Sequence, residues 1–131
     1  MTGLPSPIGE LKLKVQTMPT DVNLDGNIFG GWIMSQMDIA CGIHATYICK
    51  GRVVTKAVKE LLFEKSVKLG DLACFYTKTI SIGKTSVTVY CELWTHGRSD
   101  QDSLQKASEA TIVMVCVNDQ GLPKAINKSI G

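Results

Sequence analysis

Only one stretch of this chain, from about Phe29 to Ile48, carries apolar side chains at helical spacing. Ile33, Met37, Ala40, His44 and Ile48 recur at intervals of three and four, with Ser35, Gly42 and Thr46 opposite. Gly51 is expected to close this helix, with Lys50 suiting its C-terminal dipole. The rest reads as strand. Leu11, Leu13 and Val15 alternate with Lys12, Lys14 and Gln16, and β-rich runs follow at 52–64, 72–82, 85–95 and 107–117. Gly70-Asp71 and Gly83-Lys84 are turns between them, and 96–106 is a polar loop. A single helix and a sheet with one apolar face can each bury that face only against the other. The expected fold is therefore α+β, an antiparallel sheet wrapped around one long central helix in the order β, α, then four strands. Its exposed edge invites edge-to-edge dimerisation.

Length and composition narrow the rest. At 131 residues and 44% hydrophobic content the chain fits one domain, expected over 10–126, with 1–9 a flexible lead-in and 127–131 a short tail. Net charge is +2 with the signs interspersed, so neither a nucleic-acid arm nor a polybasic membrane tether is expected. Cys41, Cys49, Cys74, Cys91 and Cys116 lie in apolar runs and form no CxxC pair. They read as reduced core thiols rather than disulfides or metal ligands, which points to the cytoplasm. No basic-then-apolar leader and no run of 18 apolar residues occurs, so neither export nor a membrane span is expected. Gly83-Lys84-Thr85 imitates the end of a phosphate-binding loop, but Lys78 stands where the first glycine is needed and strand pattern follows. His44 and His96 have no zinc-ligand spacing.

The stretch Asp21–Asp38 concentrates the chemistry. Asp21, Asn23, Asp25, Gly26 and Asn27 supply turn-forming side chains. Gly30-Gly31 then marks a helix start, where unpaired N–H groups favour negative charge and two absent side chains admit a ligand to the backbone. About two turns on, Asp38 adjoins the apolar stripe of Met34, Met37, Cys41 and Ala45, where solvation is poor. Two readings stand for Asp38: an ordinary acid at a helix edge, or a base that activates water while the helix start stabilises an acyl oxyanion.

The block MPTDVNLDGNIFGGWIMSQMD, then GRVVT at 51–55, the Gly70-Asp71 turn and the late strand ASEATIVMVCV resemble the YciA-type acyl-CoA thioesterases of the hotdog superfamily. The resemblance spans nearly the whole chain. It implies a hotdog fold, hydrolysis of acyl-CoA to free acid and CoA, and paired protomers with sites at their interface, as a homodimer or a trimer of dimers. By position it implies that Asp38 is the catalytic carboxylate, as general base or nucleophile, and that Gly30-Gly31 binds the oxyanion. Asn27 falls where relatives carry Asn or Asp and positions water or the thioester carbonyl; its plainer reading is a turn or capping residue. Arg52, Lys84 and Lys124 are candidates for the CoA phosphates, or simply solvated cations. No metal or cofactor is implied beyond the CoA of the substrate. Two departures are Lys59-Glu60, in place of small or polar residues in the second strand, and an end soon after Ile126 where many relatives continue. Two alternatives are a hydratase or dehydratase pairing an acid with His44, and a module that binds acyl-CoA without turnover.

Overall fold

The computed structural model describes residues 5–98 and 104–127. Its elements are β1 (Glu10–Gln16), α1 (Gly30–Cys49), β2 (Val53–Phe63), β3 (Leu72–Ile82), β4 (Ser86–His96) and β5 (Gln105–Cys116). The strands form one antiparallel sheet in the order β1-β3-β4-β5-β2, and α1 touches all five, so the sheet curls around the helix as expected. Of the expected polar loop 96–106, His96 ends β4 and Gln105 and Lys106 begin β5, while 99–103 lies outside the described residues, as do 1–4 and 128–131 at the two ends.

Alternation decides the layers. Val87, Val89, Cys91 and Leu93 of β4 and Ala110, Ile112, Met114 and Cys116 of β5 form one buried face against Ile33, Met37, Ala40, Cys41 and Ala45 of α1. The outer face of β4 carries Glu92, only 2% exposed, which accepts hydrogen bonds from Tyr90 (2.6 Å), Trp94 Nε1 (2.9 Å) and the Ile8 N–H (3.0 Å). Lys106 stands 3.6 Å away. Burial pushes the Glu92 carboxyl up, but those three donors and Lys106 outweigh it and hold it below its usual value. The network also anchors the described end of the lead-in at Ile8.

Two local expectations need correction. The left-handed residue that ends α1 is Lys50 (φ 55°), whose N–H bonds the Thr46 carbonyl at 2.8 Å, not Gly51. Gly51 instead makes room: a Cβ there would lie 3.2 Å from Lys124 Nζ. The cysteines are not all reduced either. Cys49, at the last residue of α1, is joined to Cys116, at the last residue of β5, with Cα atoms 5.8 Å apart. That pairing joins residues 67 apart in sequence, so no local pattern announces it.

Candidate active site

The approach to α1 is built by side chains that replace missing backbone partners. Asn23 Oδ1 accepts from the N–H groups of Asp25 (2.9 Å) and Asn27 (3.1 Å), while Asn23 N–H reaches the Asn27 carbonyl at 2.7 Å. Gly26 takes φ 84°, which a side chain there would resist. Ile28 then bonds Val67 and Phe29 bonds Asp21, so the loop is fixed before the helix begins.

Helix α1 starts at Gly30, as expected, and the first of its amides to find a backbone carbonyl belongs to Trp32 (3.1 Å to Phe29). The Gly30 and Gly31 N–H groups thus stand at the positive end of a 20-residue helix with no carbonyl partner among the described residues. Gly30 borders a cavity of about 330 Å³, which Asn23, Asn27, Ile33, Phe63 and Val67 also line. A Cβ on Gly30 would lie 3.2 Å from the Phe63 ring, so glycine keeps the backbone accessible there. Asn27 lines this cavity, and its Oδ1 accepts from Lys68 Nζ at 3.2 Å. Asn23 is the turn former the sequence suggests, and it also lines the cavity; Lys68, whose Nζ reaches Asn27 from 41 residues away, has no local sequence signal.

Asp38 occupies a different place. It is half-buried beside Met37, Cys41 and Ala45, which are fully buried, whereas Met34 is exposed. Its Oδ1 accepts a hydrogen bond from Thr55 Oγ1 of β2 at 2.5 Å. Thr55 was not foreseen, because a strand threonine 17 residues away carries no local mark of this role. Eight residues separate Gly30 from Asp38, an axial rise of about 12 Å, so one copy does not bring the acid to the helix start.

His44 belongs to neither group. Its ring nitrogens pair with Thr77 Oγ1 (2.8 Å) and Thr79 Oγ1 (2.7 Å) on β3, across the sheet from the Asp38–Thr55 pair on β2. Burial, with a further push from Lys12, lowers its pKa against the pull of Glu10. Within one chain, His44 and Asp38 are therefore not paired as a hydratase would need.

The three candidate cations gather by backbone around the C-terminal segment. The Arg52 carbonyl accepts from Val117, the Lys84 carbonyl accepts from Ile126 (2.8 Å), and the Lys124 N–H donates to Cys116 (2.8 Å). Arg52 also donates to the turn carbonyls of Asn118 (3.2 Å) and Asp119 (3.1 Å). Arg52 follows directly on the far end of α1, about 30 Å of helix from Gly30. Among the described residues no His, Cys, Asp or Glu group of three or more could hold a metal ion. No helix among them is long and apolar enough to cross a membrane.

Residues 25–100, which contain the helix start, Asp38 and Thr55, match the model of the family described as the thioesterase superfamily. The chain belongs to the thioesterase superfamily. It is 41% identical over 123 residues to the acyl-CoA thioester hydrolase YciA of Salmonella typhimurium, covering 92% of each chain. Among solved structures, a hexameric thioesterase from Yersinia pestis matches with TM-score 0.87 and 42% identity, over 93% of this chain and 98% of that one. A hexameric hotdog-fold thioesterase of Campylobacter jejuni matches with TM-score 0.87 and 35% identity, over 93% of both. Membership of the thioesterase superfamily and the hotdog fold agree with the sheet order and the single wrapped helix.

Proposed function

We propose that this chain hydrolyses acyl-CoA thioesters to the free acid and CoA, as a cytoplasmic homo-oligomer. The observation that carries the reading is the start of α1: two amides without carbonyl partners, the first of them at a residue that lines a cavity, on the helix that also holds a hydrogen-bonded carboxylate. A relative 41% identical over 92% of this chain is named for this reaction.

The site is shared between two copies in this reading. The free edge β2 leaves Val54, Val58, Leu62 and Phe63 exposed, a surface that pairing with a second β2 would cover. Such pairing sets the Asp38–Thr55 unit of one copy against the helix start of the other, which removes the separation of about 12 Å within one chain. Three such dimers would make a hexamer, the state named for the Yersinia and Campylobacter structures.

Asp38 takes a proton from water as the water oxygen bonds to the thioester carbon. The carbonyl electron pair moves to oxygen, where the Gly30 and Gly31 N–H groups meet the negative charge, and Asn27 orients the carbonyl or the water. Collapse restores the C=O bond and breaks C–S, and the leaving thiolate takes the proton back from Asp38. In the nucleophilic variant Asp38 itself bonds to the acyl carbon as the C–S bond breaks and CoA leaves as thiolate; water then opens the resulting anhydride, restoring the Asp38 carboxylate and giving up a proton to the thiolate. Arg52, Lys84 and Lys124 attract the CoA phosphates.

A thiol-release assay over a panel of acyl-CoA esters tests this, with Asp38→Asn as the comparison. The wild type should release CoA thiol, and the variant should fold normally while turning over about 10²- to 10⁴-fold more slowly. Acyl-CoA binding with no thiol release from the wild type would establish the non-catalytic module instead.

A further inference from the structure

Two pairs of cysteines stand between helix and sheet. Cys41 of α1 meets Cys91 of β4 in the fully buried core; two turns further along α1, Cys49 is joined to Cys116 of β5. The 5.8 Å Cα separation of the second pair lies in the middle of the range a disulfide spans. The two pairs differ in access. Cys41 and Cys91 are both 0% exposed, and their contact together with burial pushes the Cys91 thiol far up. Cys74 is also buried and raised by burial. Cys49 is 8% exposed, next to Lys50 and two residues before Gly51, while Lys124 donates its N–H to the carbonyl of Cys116. Only this pair therefore combines a bonding geometry with a path to solvent.

We propose that Cys49–Cys116 is a reversible redox staple that fixes the C-terminal turn of α1 to the end of β5, set by exchange with low-molecular-weight thiols and their disulfides. Opening begins when a small thiolate attacks Cys49 Sγ, the more accessible sulfur. The Cys49–Cys116 bond breaks, Cys116 leaves as thiolate and takes a proton, and a mixed disulfide remains on Cys49. A second thiolate attacks the sulfur of the small molecule in that mixed disulfide, releasing Cys49 as a thiol. The protein gains two electrons and two protons; two thiols become one disulfide. Closing is the reverse. A loop closed over 67 residues restricts the unfolded chain strongly, so the oxidised form should be the more heat-stable.

The inference stands apart from the hydrolase reading, and its test does not use turnover. The wild-type protein is equilibrated with mixtures of reduced and oxidised glutathione, quenched with acid, alkylated in denaturant and peptide-mapped, with Tm measured on parallel samples. A CoA and CoA-disulfide series distinguishes the two thiol sources. The oxidised protein should show alkylation only at Cys41, Cys74 and Cys91, a linked Cys49–Cys116 peptide, and a Tm higher by on the order of 10 °C. Cys49→Ala should abolish the redox-dependent part of the Tm. Hydrogen exchange on reduction should rise at 46–54 and 113–118 while 30–38 keeps its protection. Five alkylatable cysteines at every ratio, a linked pair other than Cys49–Cys116, or a redox-dependent Tm that survives in Cys49→Ala would each overturn the proposal.

Discussion

Replacing Thr55 by valine removes one hydroxyl and almost no volume, and it tests whether Asp38 acts as an oriented base. In the folded chain Thr55 Oγ1 donates to Asp38 Oδ1 at 2.5 Å and lies 3.5 Å from Met114 Sδ, so the valine methyl would sit between a carboxylate and a thioether. A hydrogen bond to a charged group contributes about 1.5–3 kcal/mol. Asp38 is only half-buried, so water replaces much of that bond and the stability loss should stay under about 1 kcal/mol. Orientation is lost with no replacement. A carboxylate free to rotate about its side chain presents the basic oxygen to water only part of the time, and modest misplacement of a reacting group costs up to about 10²-fold. We expect kcat to fall roughly 10- to 100-fold with KM nearly unchanged, because the hydroxyl acts on the base and not on CoA. Thr55→Ser, which keeps the hydroxyl, should recover most of the loss. Steady-state kinetics on one good acyl-CoA substrate, with Tm as the folding control, decides the matter. A Thr55→Val enzyme with wild-type kcat would show that the Thr55–Asp38 contact has no part in turnover.

If two copies share each site, a doubly tagged mixed dimer of Asn27→Ala with Asp38→Ala holds one intact site. Random co-assembly should then recover about a quarter of wild-type activity, and no recovery in confirmed mixed dimers of two strongly impaired parents would place each site within one chain. Gly30→Ala puts a methyl 3.2 Å from the exposed Phe63 ring, which can yield. It should cost a few degrees of Tm at most, yet reduce kcat/KM by about tenfold or more by crowding the amides, and full activity would argue against them as the oxyanion site. His44 faces Lys12 and Glu10, and its folded pKa lies below the ordinary 6.5. Between that lowered value and 6.5 the unfolded chain binds more protons than the folded one, so stability should fall as pH drops from about 6.5 and level off below the folded pKa. Urea midpoints across that window should show the decline in the wild type and a flatter profile in His44→Gln; parallel profiles would remove the assignment.

The sequence by itself determined what depends on neighbours along the chain. Periodicities of 3.6 and 2 separated one helix from five strands, the turn residues and Gly30-Gly31 located the start of α1, and alternation through Val87, Val89, Cys91 and Leu93 marked the inner face of β4. Those features follow from local φ/ψ preferences and from which side chains one face can bury. The pattern was weakest at β2, where exposed Val54 and Val58 and a left-handed Glu60 in a bulge break the alternation of an edge strand that a second copy would complete. Tertiary structure alone decided that Thr55 holds Asp38, that Asp38 and His44 lie toward opposite sides of the sheet, and that Cys49 meets Cys116. It also decided that Lys50 and not Gly51 takes the left-handed cap, and that Lys124 packs beside Gly51. Each of these is set by how far the sheet curls around the helix and by strand register. Both are fixed only when residues distant in sequence are packed together, and no stretch of the chain encodes them alone.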